Sequence, residues 1–164
     1  SKALNRLIKE RMEGLDWNSE SPIFSSPELN FTPDKLGRKR KNGVWRLDFA
    51  KESISVEVSF NHGEAIAWNL VKPVIASEVN HVEKAIETEI GVIICATQDM
   101  KASCGFDGAV GQYEKILQYM LPLRTMLTIP IVVIGLEAPK TFDIKVKKIN
   151  GKKRGLVRRL LCEF

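Results

Sequence analysis

Two carboxylates on adjacent strand-like segments constrain the fold of this chain more than any other feature. Residues 54–61 alternate between apolar and polar side chains, which predicts a strand with one buried face and with Glu57 and Ser59 together on the other face. Residues 44–49 alternate in the same way and carry Asp48 on the polar side. A turn between the two segments makes a hairpin, so we expect Asp48 to lie close to Glu57.

This acidic pair, Asp48 with Glu57, has two interpretations. Neighbouring carboxylates repel each other unless a cation lies between them, and Mg²⁺ prefers one or two carboxylate oxygens together with water and phosphate oxygens. A metal held there can neutralise the charge that develops during phosphoryl transfer. Acids on neighbouring strands are also common on solvated surfaces, so the spacing leaves a metal site and a pair of surface acids both open.

The charge of the chain favours a polyanionic partner. Its 164 residues carry a formal net charge of +5, which is the sign expected of a nucleic-acid-binding protein. Basic residues gather just before Asp48, where they can meet phosphates or form a solvated loop: Lys35, Arg38, Lys39, Arg40 and Lys41. Beyond Pro139, Lys and Arg alternate with apolar residues around Asn150 and Gly151, a dipeptide that predicts a hairpin turn. This basic segment suits a nucleic-acid backbone or a solvated edge hairpin.

Cysteine usage and apolar patterning indicate an intracellular protein. The three cysteines are odd in number and include no C-x-x-C pair, which argues against a disulfide scaffold and against a zinc site. There is no uncharged apolar run of about 18 residues, and the N-terminus is too charged for a signal peptide. We therefore expect a cytoplasmic location.

The order of predicted elements indicates an α/β fold with a mixed central sheet flanked by helices. After the hairpin, helices and buried strands alternate, and a flexible glycine-containing loop is expected over residues 98–111. The predicted helices cover residues 3–15, 64–79, 82–88 and 110–121, and the predicted buried strands cover residues 90–96 and 129–135. Residues 19–33 look irregular. We expect one catalytic unit over residues 1–139 and a basic hairpin or tail, residues 140–164, packed on the same domain.

Several sequence blocks follow one another in the register of a known enzyme family. They are Ala3-Leu-Asn5 with Lys9-Glu10, Glu13 and Trp17, then Asp48-Phe49, residues 54–60, residues 89–92, and residues 130–135 followed by Ala138-Pro139. Together they resemble the PD-(D/E)XK nuclease core and, more narrowly, the BglII/BstYI-type type II restriction endonucleases. The resemblance covers residues 3–139.

The resemblance implies a set of site residues. Asp48 and Glu57 match the metal-binding carboxylates, and the backbone carbonyl of Val58 matches a third ligand. Ser59 matches the third catalytic position, where most PD-(D/E)XK nucleases have Lys and the BglII/BstYI-type enzymes have Gln. A serine hydroxyl can orient a water by hydrogen bonding, but it has no charge and is no base near neutral pH. The implied DNA contacts are Asn61 and His62 after the strand, and Ser103 within residues 98–111.

The resemblance also implies a function. It points to a Mg²⁺-dependent type II restriction endonuclease that hydrolyses DNA at a short palindrome with a GATC centre, as a homodimer and alongside a cognate DNA methyltransferase. The helices over residues 64–79 and 110–121 are the candidate dimer face, or else they simply cover the sheet. Because Ser59 replaces the Lys or Gln of the family, a second function stays open, that of a nuclease-fold module that binds DNA but has lost cleavage. A third class is a structural or protein-binding domain with weak, salt-dependent DNA affinity.

Overall fold

The computed structural model describes residues 2–26, 29, 32–33, 39–40, 45–78, 81–104 and 106–159. Within them, the helices are α1 (Lys2–Glu13), α2 (Ile66–Ser77), α3 (Gln98–Ser103) and α4 (Tyr113–Leu123), and a 3₁₀ turn (Gly63–Ala65) precedes α2. The strands are β1 (Asn18–Pro22), β2 (Thr32–Pro33), β3 (Lys39–Arg40), β4 (Arg46–Lys51), β5 (Ile54–Ser59), β6 (Ile90–Ala96), β7 (Ile131–Leu136), β8 (Phe142–Ile149) and β9 (Lys152–Arg159).

A five-stranded mixed sheet forms the centre of the molecule. Its order is β1-β4-β5-β6-β7, in which β1, β4 and β5 pair antiparallel while β6 and β7 run parallel to β5. β6 is apolar along its whole length, which suits its position between β5 and β7, because a central strand is covered on both faces and needs no polar side. The predicted mixed sheet is confirmed.

Helices cover both faces of this sheet. On one face, Ile66 and Leu70 of α2 pack against Ile93 and Cys95 of β6 and against α4. On the other face, Ala96 belongs to a separate cluster with Leu4 of α1 and Met100 of α3. Because neighbouring strand residues point to opposite faces, Cys95 and Ala96 mark the two sides of the sheet. This arrangement confirms the predicted α/β class.

Three local predictions are wrong. The segment that looked irregular contains β1, which pairs with β4 at the sheet edge. Residues 82–88 form no helix, and Lys84 instead makes an isolated bridge with Phe24. The predicted flexible loop over residues 98–111 begins with α3, because the Thr97 hydroxyl accepts a hydrogen bond from the Met100 N–H and caps that helix.

The basic segment after Pro139 forms a hairpin, β8 with β9, which we call the hairpin arm. Asn150 and Gly151 connect the strands with φ values of 50° and 76°, the left-handed pair that an Asn-Gly turn predicts. Phe142 and Ile144 of β8 pack against the core cluster that contains Leu4. The division of the chain at residue 139 stays a prediction. None of the helices in the described residues is long and apolar enough to cross a membrane.

Candidate active site

The β4–β5 hairpin brings the acidic pair together. Its backbone pairing runs from Lys51 opposite Ile54 to Phe49 opposite Val56, and Asp48 and Glu57 are the next residues on the two strands. Opposed residues of an antiparallel pair share a face of the sheet. The hairpin predicted from the alternation is therefore present, and the two carboxylates are neighbours.

Hydrogen bonds fix the two carboxylates in place. The Val58 N–H donates to Asp48 Oδ2 at 2.7 Å, and the Asp48 N–H donates to Glu57 Oε1 at 3.4 Å. Asp48 remains half-buried, whereas only 1% of the Glu57 surface is exposed. The pair therefore lies at the boundary between the protein interior and solvent, with Asp48 as its more accessible member.

A lysine from the covering helix completes the cluster. Lys72 of α2 places its Nζ in an ion pair with Glu57 Oε2 and donates a hydrogen bond to the Arg46 carbonyl at 3.0 Å. Its side chain is only 10% exposed. The sequence interpretation did not identify Lys72, although a signal was present: Asn69 and Lys72 are polar residues at helical spacing on the buried face of α2.

Burial controls the electrostatics of Glu57. Removal from water raises the pKa of Glu57 to about 8, the Lys72 ammonium opposes this rise, and the nearby Asp48 charge adds to it. The carboxyl group of Glu57 therefore holds a proton far more tightly than an exposed glutamate does. Additional positive charge beside Glu57 would favour its ionised form.

Ser59, the residue expected at the third catalytic position, is enclosed under α2. Ser59 is fully buried, accepts a hydrogen bond from Asn69 Nδ2 at 3.0 Å and donates one to Asn61 Oδ1 at 3.4 Å. The sequence predicted that this side of β5 would be the uncovered one, and this is wrong, because Ser55, Glu57 and Ser59 are each at most 1% exposed. The alternation correctly grouped these residues on one face, which α2 then covers.

The two segments expected to contact DNA lie side by side. The Gly63 N–H donates to the Ala109 carbonyl at 2.8 Å, and the Gly111 N–H donates to the Asn61 carbonyl at 3.0 Å. His62 forms a bridge with Val110 between these bonds. Asn61 and His62 are both exposed. The loop after β5 is thus joined to the end of the 98–111 segment, while Ser103 is exposed at the last residue of α3.

The predicted basic run is described only in part. Lys39 and Arg40 form β3, which pairs with β2. Lys35, Arg38 and Lys41 lie outside the described residues. The positions of these cations relative to the acidic pair therefore stay a prediction.

The donor atoms of the site fit a hard divalent cation. In the part of the chain that the structure describes, no group of three or more His, Cys, Asp or Glu side chains could hold a metal. A metal here would therefore rely on Asp48, Glu57, a backbone oxygen and water or phosphate oxygens, which is the habit of Mg²⁺ rather than Zn²⁺. The Val58 carbonyl accepts a 3.3 Å bond from the Phe60 N–H and keeps a second lone pair for such a ligand role.

Comparison with known proteins identifies the family. The family model described as restriction endonuclease BglII/BglIII matches residues 1–136, well over half of the chain. The fold is similar to that in the crystal structure of restriction endonuclease BglII complexed with a DNA 16-mer, with a TM-score of 0.63 and 19% identity, covering 96% of this chain and 68% of that chain. No curated protein matches the chain significantly. The chain therefore belongs to the BglII/BglIII restriction endonuclease family, and it is a type II site-specific endodeoxyribonuclease.

Proposed function

We propose that this endonuclease requires Mg²⁺ and cuts double-stranded DNA at a short palindromic site, GATC-centred as in the family it resembles. The observation that carries the proposal is the acidic pair, in which two carboxylates from one hairpin lie together and the Val58 N–H orients one of them. These are the oxygen donors that Mg²⁺ uses when a phosphate completes its coordination.

The residues of the chain have separate roles in this hydrolysis. A bound Mg²⁺ neutralises charge on the phosphate and makes water a better nucleophile at neutral pH. Asp48, Glu57 and the Val58 carbonyl would hold the cation, and the Val58 N–H keeps Asp48 Oδ2 oriented. Ser59 acts through hydrogen bonds, since its hydroxyl has no charge. A water oxygen bonds to phosphorus in line with the leaving sugar oxygen, the bond to that oxygen breaks, and the proton lost by the water reaches it through solvent.

The proposed partners follow from the same function. The DNA phosphates would be contacted by the basic residues before β4, which are Lys35, Arg38, Lys39, Arg40 and Lys41, and the DNA near the cut would be contacted by Asn61, His62 and Ser103.

A palindrome has two-fold symmetry, so a homodimer is the matching assembly. Support comes from α4, whose Leu117 and Leu121 side chains are 41% and 72% exposed. A methyltransferase with the same specificity would protect the host DNA, and an intracellular location stays a prediction.

A second candidate function is a nuclease-fold module that binds DNA without cutting it. Ser59 favours this candidate, because the third catalytic position lacks both the lysine and the glutamine of related enzymes. The two candidates share the fold and DNA binding, and they differ in whether phosphodiesters are cut.

A DNA digest separates these candidates. The protein is incubated with a long, defined, unmethylated DNA in Mg²⁺, with EDTA as one control and Asp48→Ala as another, and the products are resolved on a gel. Glu52→Ala is a matched control, because Glu52 is an exposed acid in the turn of the same hairpin. Discrete bands with the unaltered protein and Glu52→Ala, absent with EDTA and Asp48→Ala, are expected.

Mapping the fragment ends then gives the site, and a GATC centre is the expected result. Intact DNA in every lane, from folded protein that binds DNA, would overturn the proposed cleavage and leave the binding module. Cutting by Asp48→Ala at the rate of the unaltered protein would overturn the proposed metal site. Sedimentation of the protein with and without DNA tests the homodimer.

A further inference from the structure

We propose that Lys72 supplies the active-site ammonium that the third catalytic position lacks, reaching the acidic pair from α2 instead of from β5. This inference rests on the proposed function. In the reaction, the ammonium of Lys72 would contact the scissile phosphate and the attacking water. It remains an ammonium throughout, so it moves no proton and leaves the balance of the hydrolysis unchanged.

Ser59 cannot take this role where it stands. Its hydroxyl is fully buried, donates to Asn61 and accepts from Asn69. A lysine at position 59 would lie on the face of β5 that carries Glu57, because residues two apart on a strand point the same way. Its absence leaves that face of β5 without a cation of its own.

Helix α2 brings a cation to the same face. Asn69 contacts Ser59, and Lys72, three residues further along the helix, contacts Glu57. The helix therefore follows β5 from the third catalytic position to the second metal ligand. The result is two carboxylates and one ammonium at one place, the same set of charges that an acid, an acid and a lysine on a single hairpin would give.

Close packing holds Lys72 near the sheet. Pro73, its neighbour, lies over Gly91 of β6, where an added Cβ would be only 2.7 Å from Pro73 Cβ. The ammonium also donates to the Arg46 carbonyl at 3.0 Å. A charged side chain is costly to bury on a helix face, and a rigid element that positions it is what a reacting phosphate requires.

Single-turnover cleavage of a mapped duplex is the first test. Lys72→Gln should fold, by circular dichroism and melting, and cut about 100-fold more slowly or worse, the usual cost of removing one donor to a reacting group. Lys9→Gln, on α1, is the matched control and should cut at the full rate.

Binding gives a second readout that needs no cleavage. In Ca²⁺, the Lys72→Gln variant should bind the normal duplex about fivefold more weakly than the unaltered protein does. When the scissile phosphate is replaced by an uncharged methylphosphonate, the two proteins should bind the duplex equally well. A lysine that only supports the fold would weaken binding of both duplexes by the same factor. That result overturns the proposal.

The remaining outcomes are also decisive. If folded Lys72→Gln cuts at the full rate, the proposed role of Lys72 is overturned, whereas the proposed function stands. If the unaltered protein cuts nothing, the proposed function fails and the role of Lys72 fails with it. Should Lys72→Gln unfold, Lys72→Arg replaces it: a planar guanidinium does not reproduce the compact ammonium, so a rate at least about tenfold lower is expected and a full rate overturns the proposal.

Discussion

Metal binding at the acidic pair should be strongly pH-dependent. Burial raises the pKa of Glu57 to about 8, and a metal ligand must be deprotonated, so a cation has to displace a proton from Glu57 below that pH. The ionised fraction of a group with this pKa grows about 25-fold between roughly pH 6.5 and roughly pH 8.5. The apparent affinity for the metal should rise by the same factor over this range.

Calorimetry with Mn²⁺ measures both parts of this prediction. Titrations in two buffers of different ionisation enthalpy give the number of protons released, which should fall from about 1 near pH 6.5 to about 0.2 near pH 8.5. Glu57→Gln should bind the metal weakly and lose the dependence on pH. Glu52→Gln changes an exposed acid of the same hairpin and should behave as the unaltered protein.

One result would refute this reasoning. An affinity that varies less than about threefold across the range, with no proton released, would mean that Glu57 is already ionised near neutral pH. The Lys72 ammonium would then outweigh the cost of burying the carboxylate, and the cation would replace Lys72 at Glu57 rather than a proton.

Three further outcomes are expected. In EDTA, the free energy of unfolding should decrease as pH rises through about 8. The raised pKa of Glu57 stabilises the folded state fully only below the ordinary pKa of 4.5, and this stabilisation is lost as pH rises to the folded-state pKa of about 8. Chemical denaturation should show this trend, and Glu57→Gln should flatten it. Gly91→Ala should lower the urea-unfolding free energy by about 1–3 kcal/mol, since its methyl would meet Pro73, whereas Gly108→Ala, with open space around it, should not. Lys147→Gln, on the exposed side of the hairpin arm, should reduce the salt dependence of DNA affinity by about one unit of slope, and an unchanged slope by fluorescence anisotropy would exclude a phosphate contact there.

The alternation of β4 and β5 was sufficient to predict the hairpin and the acidic pair. Period-2 patterning states which residues share a face, so Glu57 and Ser59 were correctly grouped. It does not state whether another element covers that face. The polar character of the face indicated solvent, but the covering element, α2, carries its own polar residues, Asn69 and Lys72, at the contact.

Two elements were missed for different physical reasons. β1 has the sequence Asn-Ser-Glu-Ser-Pro, without a β-branched or aromatic residue, and it forms because backbone pairing with β4 needs no particular side chains. α3 has only six residues, so its stability comes from the Thr97 cap and the burial of Met100 rather than from helical periodicity. Both elements form because of tertiary contacts, and these contacts cannot be read from the local pattern of a single sequence.

The position of the acidic pair links stability to function. An exposed pair of acids would cost little folding free energy, but water would weaken its interaction with a cation. The nearly complete burial of Glu57 instead strengthens its electrostatic interaction with any charge placed beside it. The fold must then supply a positive charge for Glu57 whenever it is ionised. Lys72 is the cation that the chain itself provides, and a divalent ion with a DNA phosphate would allow the same ammonium to turn from the carboxylate to the substrate. If the proposed metal site is right, the Glu57 carboxylate is therefore paired with Lys72 in the free protein and would be paired with the metal ion once DNA and metal bind.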